Sequence, residues 1–247
     1  MSFLNKAFLR IFAICKFITN YKDERLLYKG LSSSSSSITT ALLREGYYVY
    51  PDRLPSDIVD QLLQEFDQLK SRKDYKYEGQ LNRRIFSSRA FLSVTLEQLA
   101  VPVKADLSDL LAKPNVELTY FQDSIPESFL KNVPGGSFHV DDNKANYKYF
   151  IYLTDVSASN GPFSVVSGSG SWKLNGSFLR GLLWESTKLR IFLYSFGLHY
   201  SNLLGTDHMF TGLKGTHFIV DTTCLHRDNV VIKDKRSVAV VSFNAAS

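Results

Sequence analysis

The stretch THFIVDTTCLHRDNVVIKDKRSVAVVSF, residues 216–243, sets the reading of the whole chain. It begins with a β-branched and aromatic run, His217–Asp221, and ends with a second, Ser237–Phe243. The second run is apolar at nearly every position, which is the pattern of a strand buried on both faces. Between the two runs stand His226, where the first strand reaches the mouth of the β-structure, and Arg236, which leads into the core strand. A cation entering such a strand needs an anionic partner, and a small dicarboxylate supplies one through a bidentate pair. His217 also has an arginine at the same spacing, Arg227, but that residue is expected in a turn, so position favours Arg236.

Upstream, the same texture recurs in Val116–Phe121, Ser137–Val140, Tyr147–Leu153 and Phe163–Val166. Pro134-Gly135-Gly136, Ser159-Asn160-Gly161-Pro162 and Lys214-Gly215 punctuate these runs. Many short strands with tight turns predict a sandwich, jelly roll or barrel. Asp155 and Asn160 are expected to shape the turn after Leu153, since Asx side chains bond nearby backbone. From Ser171 to Lys214 the spacing turns helical, with Trp172, Trp184 and several basic residues, and predicts an insertion over one end of the β-structure. Both tryptophans are expected in the core of that cap.

Nearer the N-terminus, Leu42–Tyr50 predicts a helix end, a glycine and a strand. Pro55-Ser56-Asp57 opens a helix to about Leu69, with Ser56 as its N-cap and Ile58, Leu62, Phe66 and Leu69 on one face. Residues 71–94 carry Arg72, Lys73, Lys76, Arg83, Arg84 and Arg89, a solvated face or the lining of an anion-accepting mouth.

Phe138-His139-Val140-Asp141 carries the chemistry. On an extended strand, residues i and i+2 share a side, so His139 and Asp141 project together. An imidazole and a carboxylate presented this way are two adjacent ligands of a divalent metal. A third ligand completes the facial set of non-haem Fe(II) oxygenases. The structural alternative for His199, His208 and His217 is an ordinary satisfied side chain, and that is the expectation for all three.

From Ile38 to the C-terminus, the ordered set LLREGYYVY, PSDIVDQLLQEF, FHVDD, KYFIYLTDVSASNGPF, VVSGSG, KGTHFIVDTTCLHR and Arg236 resembles the phytanoyl-CoA dioxygenase-like family of Fe(II)/2-oxoglutarate-dependent oxygenases. The resemblance implies a double-stranded β-helix, jelly-roll or cupin-like, mainly β with flanking helices and a helical insertion. It also implies that His139, Asp141 and His226 bind Fe(II), that Arg236 holds the distal carboxylate of 2-oxoglutarate, and that Tyr120 contacts the cosubstrate. The implied reaction consumes O2 and 2-oxoglutarate, gives succinate and CO2, and hydroxylates, desaturates or cyclises a small-molecule, lipid-linked or glycan-precursor substrate. Halogenase relatives have a small residue where this chain has Asp141, which disfavours halogenation. Two departures stand out. Ser167-Gly168-Ser169-Gly170 replaces a Pro-Gly-Ser-His run, and Asp228 stands where relatives carry a small or hydroxyl residue. An inward carboxylate there would repel the cosubstrate, so Asp228 is expected to face solvent or Arg227. A non-catalytic relative that keeps the fold as a metal- or ligand-binding module is the alternative.

The net charge of +5 in 247 residues raises nucleic acid as a partner, but its distribution excludes that reading. Residues 1–22 hold Lys6, Arg10, Lys16 and Lys22 and no acidic residue, leaving 25 basic against 24 acidic side chains elsewhere. Residues 1–30 then form a basic amphipathic helix and connector, 31–37 a serine-rich linker, and 38–247 the oxygenase domain with its cap at about 171–214. The helix, too short in its apolar run to span a bilayer, either lies on a membrane surface through residues 1–22 or packs on the body. Two cysteines, Cys15 and Cys224, make no disulfide framework, so a cytoplasmic protein is expected, membrane-peripheral if the helix takes the surface.

Overall fold

The computed structural model describes residues 36–77, 82–88, 90–111, 113–126, 138–139, 141, 146–169 and 206–245. The expected basic helix at 1–22, the Pro134-Gly135-Gly136 turn, His199 and both tryptophans of the expected cap lie outside the described residues.

Three helices precede or interleave with the first strands: α1 (Ser37–Arg44), α2 (Ser56–Ser71) and α3 (Val94–Asp106). Helix α1 starts within the serine run, because the Ser36 side chain accepts from the Thr39 amide and caps the helix. In α2 the cap is Pro55, not Ser56. The Pro55 carbonyl already accepts from the Val59 amide, so Ser56 is the first helical residue and the buried face runs through Val59, Leu62, Phe66 and Leu69. Ile58 is only half-buried. Helix α3 escaped the sequence reading because Pro102 lies inside it and its apolar residues mark no single face.

Nine strands follow the chain as β1 (Tyr47–Val49), β2 (Asn82–Ser88), β3 (Pro114–Ser124), β4 (Asn146–Tyr152), β5 (Phe163–Ser167), β6 (Thr206–Phe210), β7 (His217–Asp221), β8 (His226–Asp228) and β9 (Arg236–Ala245). Six form an antiparallel sheet ordered β1-β7-β4-β9-β3-β2, and three form a smaller sheet ordered β6-β5-β8. The expected double-stranded β-helix is thus present, mostly β with few helices. Strands β2 and β6 were not anticipated. Among the described side chains of β2 Ile85 alone is buried, and β6 lies in the C-terminal part of the stretch read as helical insertion. His139 makes an isolated bridge to His226.

Register divides the large sheet into two faces. Pairings Tyr120↔Val240, Phe150↔Val240 and Phe150↔Phe218 put Tyr120, Phe150, Phe218 and Val240 on one side. Phe121, Ala239, Ile151, Tyr149 and Ile219 occupy the other, against the helices, where Phe66 stacks on Phe121 at 5.0 Å. The first side faces the small sheet: Phe218 stacks on Phe210 of β6 at 4.1 Å, and Phe163 and Val165 of β5 join the same cluster. Strand β9 is buried on both faces, as its near-continuous apolar pattern requires. No helix among the described residues is long and apolar enough to cross a membrane.

Candidate metal centre

The space between the sheets narrows to a cavity of about 90 Å³ lined by residues of both, including Arg84, Tyr120, Gln122, Lys148, Phe150 and Phe163. His139, Asp141, His226, Asp228 and Arg236 complete its wall. His139 and His226 belong to segments far apart in sequence, yet each amide donates to the other's carbonyl at 2.9 Å. The Asp141 amide donates to the Thr222 carbonyl at 3.2 Å, which fixes the carboxylate on the same rim. His139 and Asp141 project into one space as expected, and long-range backbone pairing to residues 226 and 222 holds them there.

The outcome is convergence of three ligand-bearing side chains, with one donor atom of each of His139, Asp141 and His226 all within 4.8 Å of one another. The Asp141 Oδ1 atom lies 3.8 Å from His139 Nε2 and 3.5 Å from His226 Nε2. Ligands about 2.1 Å from a metal and at right angles stand about 3 Å apart, so each Asp141–histidine separation needs a contraction of less than about 1 Å to match. His226 Nδ1 is 2.9 Å from the Cys224 carbonyl, which only accepts. Nδ1 therefore carries a proton, and Nε2, which faces Asp141, is the atom left for a metal, the usual outer-sphere device for a metal-binding imidazole. Behind Cys224 lies Gly46 at φ 84°, and a Cβ there would run into the Cys224 sulfur.

Lys148 approaches the other Asp141 oxygen, Oδ2, at 2.5 Å and leaves Oδ1 toward the histidines. Burial alone would raise the Asp141 carboxyl, but the hydrogen bond with His226 and the Lys148 charge outweigh it and hold Asp141 well below the usual carboxylate range. Burial would lower Lys148, whereas Tyr120 and Asp141 hold it above its ordinary value. Lys148 was missed by motif reading, though a lone lysine amid the aromatics of NYKYFIY is itself a signal.

Arg236 is nearly sealed, its side chain 2% exposed. Its Nη2 donates to Asp228 Oδ1 at 2.7 Å and Ser124 Oγ at 3.1 Å, its Nη1 donates to the Gly161 carbonyl, and its buried Nε has no partner among the described residues. Gly161 sits at φ 74°, where a side chain would be strained. The expectation that Asp228 faces solvent or Arg227 is corrected here. The short strand β8 sends residues 226 and 228 to the same side, so Asp228 points inward beside His226. Arg227, expected in a turn, is in that strand and points away, to Asp207 at 2.9 Å and over the Phe138 ring at 4.2 Å. Burial would raise the Asp228 carboxyl, but Arg236, with Arg84 and Gln122 behind it, keeps it below the ordinary range. Arg84 Nη2 stands 3.8 Å from Asp228 Oδ2, its Nε donates to Gln122 at 2.5 Å, and its guanidinium lies 5.2 Å from the Tyr120 ring centre. Of the basic stretch 71–94, Arg84 thus lines the cavity mouth as one of the two readings expected. Tyr120 is in the wall, next to Arg84 and on the site face.

The histidines set aside are accommodated elsewhere. His217 accepts from the Tyr149 hydroxyl at 2.9 Å while its Nε2 donates to the Asp52 carbonyl, and His208 stacks on Tyr47 at 4.5 Å. Asn160 bonds the Ser157 amide and the Asp155 carbonyl, as expected of a turn-shaping Asx residue. Lys214, assigned to the cap, instead pairs with Asp60 of α2.

No protein-family model matches the chain, and no curated protein matches it. Among solved structures it is similar to the non-haem α-ketoglutarate-dependent carbocyclase SnoK of nogalamycin biosynthesis, with a TM-score of 0.62 and 15% identity over 87% of this chain and 85% of that one. HygX from Streptomyces hygroscopicus, solved with nickel and 2-oxoglutarate bound, gives a TM-score of 0.54 and 18% identity over 87% and 88%. EctD from S. alaskensis with bound Fe gives 0.58 and 18% over 87% and 79%. The chain has the double-stranded β-helix fold shared by these 2-oxoglutarate- and iron-dependent enzymes.

Proposed function

We propose that the protein is an Fe(II)/2-oxoglutarate-dependent oxygenase of the phytanoyl-CoA dioxygenase-like branch. The observation that carries this reading is the convergence of His139, Asp141 and His226 on one wall of a cavity whose other end holds the buried Arg236. Two imidazoles and one carboxylate are the donor set that leaves adjacent positions open on Fe(II). The partnerless Arg236 Nε leaves the far wall one acceptor short, which fits an anionic cosubstrate. When bound there, iron supplies oxidation by O2 coupled to decarboxylation of 2-oxoglutarate to succinate and CO2.

The chain's own residues do the positioning. The Cys224 carbonyl fixes the His226 tautomer, and Lys148 holds the second oxygen of Asp141 so that one oxygen faces the metal. Arg236 and Tyr120 receive the acid. Phe150, Phe163 and Val238 supply the apolar part of the cavity wall beside these polar groups. The substrate is a small-molecule, lipid-linked or glycan-precursor compound, and hydroxylation, desaturation or ring closure are the reactions open to it. Calorimetric titration with Fe(II), or with Mn(II) as an inert substitute, together with succinate release, tests the assignment. Wild type binds metal and releases succinate, and His139→Ala does neither. Unchanged turnover in that variant would overturn the reading.

The Asp228–Arg236 ion pair supports a second reading, a non-catalytic binding module whose anion seat is already filled. Metal binding with neither 2-oxoglutarate binding nor succinate release, in the presence of candidate substrates, would favour it.

A further inference from the structure

The carboxylate that ends on Arg236 comes from the chain itself. Asp228 Oδ1 lies 2.7 Å from Arg236 Nη2, and Asp228 Oδ2 lies 3.8 Å from Arg84 Nη2. One side-chain carboxylate thus spans the two guanidinium groups at this end of the cavity, the arrangement that the distal carboxylate of a bound 2-oxo diacid would otherwise make. The remaining cation, Lys148, is committed to Asp141. Of the five Arg236 N–H bonds, one on Nη1 is held by the Gly161 carbonyl and both on Nη2 by Asp228 and Ser124, leaving the buried Nε–H and one Nη1–H without a partner among the described residues. Either guanidinium fork needs an Nη2 hydrogen, so a distal carboxylate arriving here finds no open fork, and it arrives beside a like charge.

We infer that Asp228 is a specificity-determining residue: it stands in for the distal carboxylate, so the site gains little from that group and accepts 2-oxo monocarboxylic acids nearly as well as 2-oxoglutarate. This rests on the proposed oxygenase reading. A site built with an open charge-pairing seat rejects an analogue lacking the paired group by factors of about ten thousand or more. A seat filled from within does not.

The test is calorimetry on the full-length protein loaded with Mn(II), comparing 2-oxoglutarate with 2-oxopentanoate, which has the same carbon chain without the distal carboxylate. Wild type should prefer 2-oxoglutarate by less than about tenfold. Asp228→Ser, which frees the guanidinium, should tighten 2-oxoglutarate by about tenfold or more and leave 2-oxopentanoate within about threefold. A residue serving only the fold would weaken both acids alike or neither. A wild-type preference above tenfold overturns the inference, and so does a folded Asp228→Ser that binds 2-oxoglutarate no better. Should that variant not fold, the wild-type ratio decides alone. If Mn(II) binds but neither acid does, the oxygenase reading falls and takes this inference with it; if both acids bind at the wrong ratio, only the inference falls.

Discussion

Replacing Asp228 by Asn removes one charge and almost nothing else, which makes it an informative perturbation of stability. The amide keeps an acceptor for Arg236 Nη2, so the 2.7 Å hydrogen bond can survive. What is lost is the counter-charge of a guanidinium whose side chain is 2% exposed. Breaking a buried pair by removing one partner costs roughly 3–5 kcal/mol. Coulomb's law gives a similar figure, about 4 kcal/mol for charges 4 Å apart at an effective dielectric of 20. The surviving hydrogen bond offsets about 1 kcal/mol, and the newly unscreened Arg84 adds repulsion. A net loss of about 3 kcal/mol follows, or about 6–12 °C in Tm for a chain of this size. The pH dependence has a definite sign. Asp228 is held below its ordinary range in the folded protein, so its contribution is complete above the unfolded value of about 4 and fades as pH falls through the folded one. Urea unfolding followed by circular dichroism should show the gap in full at pH 7 and shrinking in acid. A variant within about 1 kcal/mol of wild type at pH 7, or a gap that widens on acidification, would refute the reasoning.

Two further perturbations probe the frame around the site. Gly46→Ala puts a Cβ against the Cys224 sulfur at a left-handed φ. Displacing the carbonyl that holds His226 should cost roughly tenfold to a hundredfold in Mn(II) affinity while the far-ultraviolet spectrum stays native, and an unchanged affinity would detach Cys224 from the ligand. Phe218→Ala removes a fully buried ring stacked on Phe210 and Phe150 where the two sheets meet, at a cost of about 3–5 kcal/mol in denaturant unfolding. A loss below about 1 kcal/mol would mean the sheets do not depend on that joint.

The strands whose apolar pattern is continuous could be read from the residues: Tyr147–Leu153, Phe163–Val166, His217–Asp221 and Ser237–Phe243 all fall on β4, β5, β7 and β9. The elements that stayed hidden share a cause, since their hydrophobic signal is local in no simple period. Among the described side chains of β2 Ile85 alone is buried, β6 lies beside residues with helical spacing, and α3 contains a proline. At the site, His139, Asp141, His226 and Arg236 were found as a set, yet Asp228 was placed wrongly. The error is instructive, because the same-side rule applied to His139 and Asp141 was not applied to His226 and Asp228, which share the short strand β8. His139 and Asp141 converge through backbone bonds to residues 226 and 222, which no local pattern encodes. Lys148 and Arg84 needed sheet register to be seen in the cavity, since each belongs to a different strand on the same face.

The reciprocal amide bonds between His139 and His226 bear on the order of assembly. The chain between these two segments carries β4 to β7, and contacts closing such long loops form late. The ligand set therefore does not exist in early folding intermediates, and a divalent ion has little to hold until the barrel is almost closed. Metal should then leave the refolding rate nearly unchanged and slow unfolding in proportion to its affinity. For this protein the ion is a latch set after closure, and its loss shortens the lifetime of the folded state rather than the path to it.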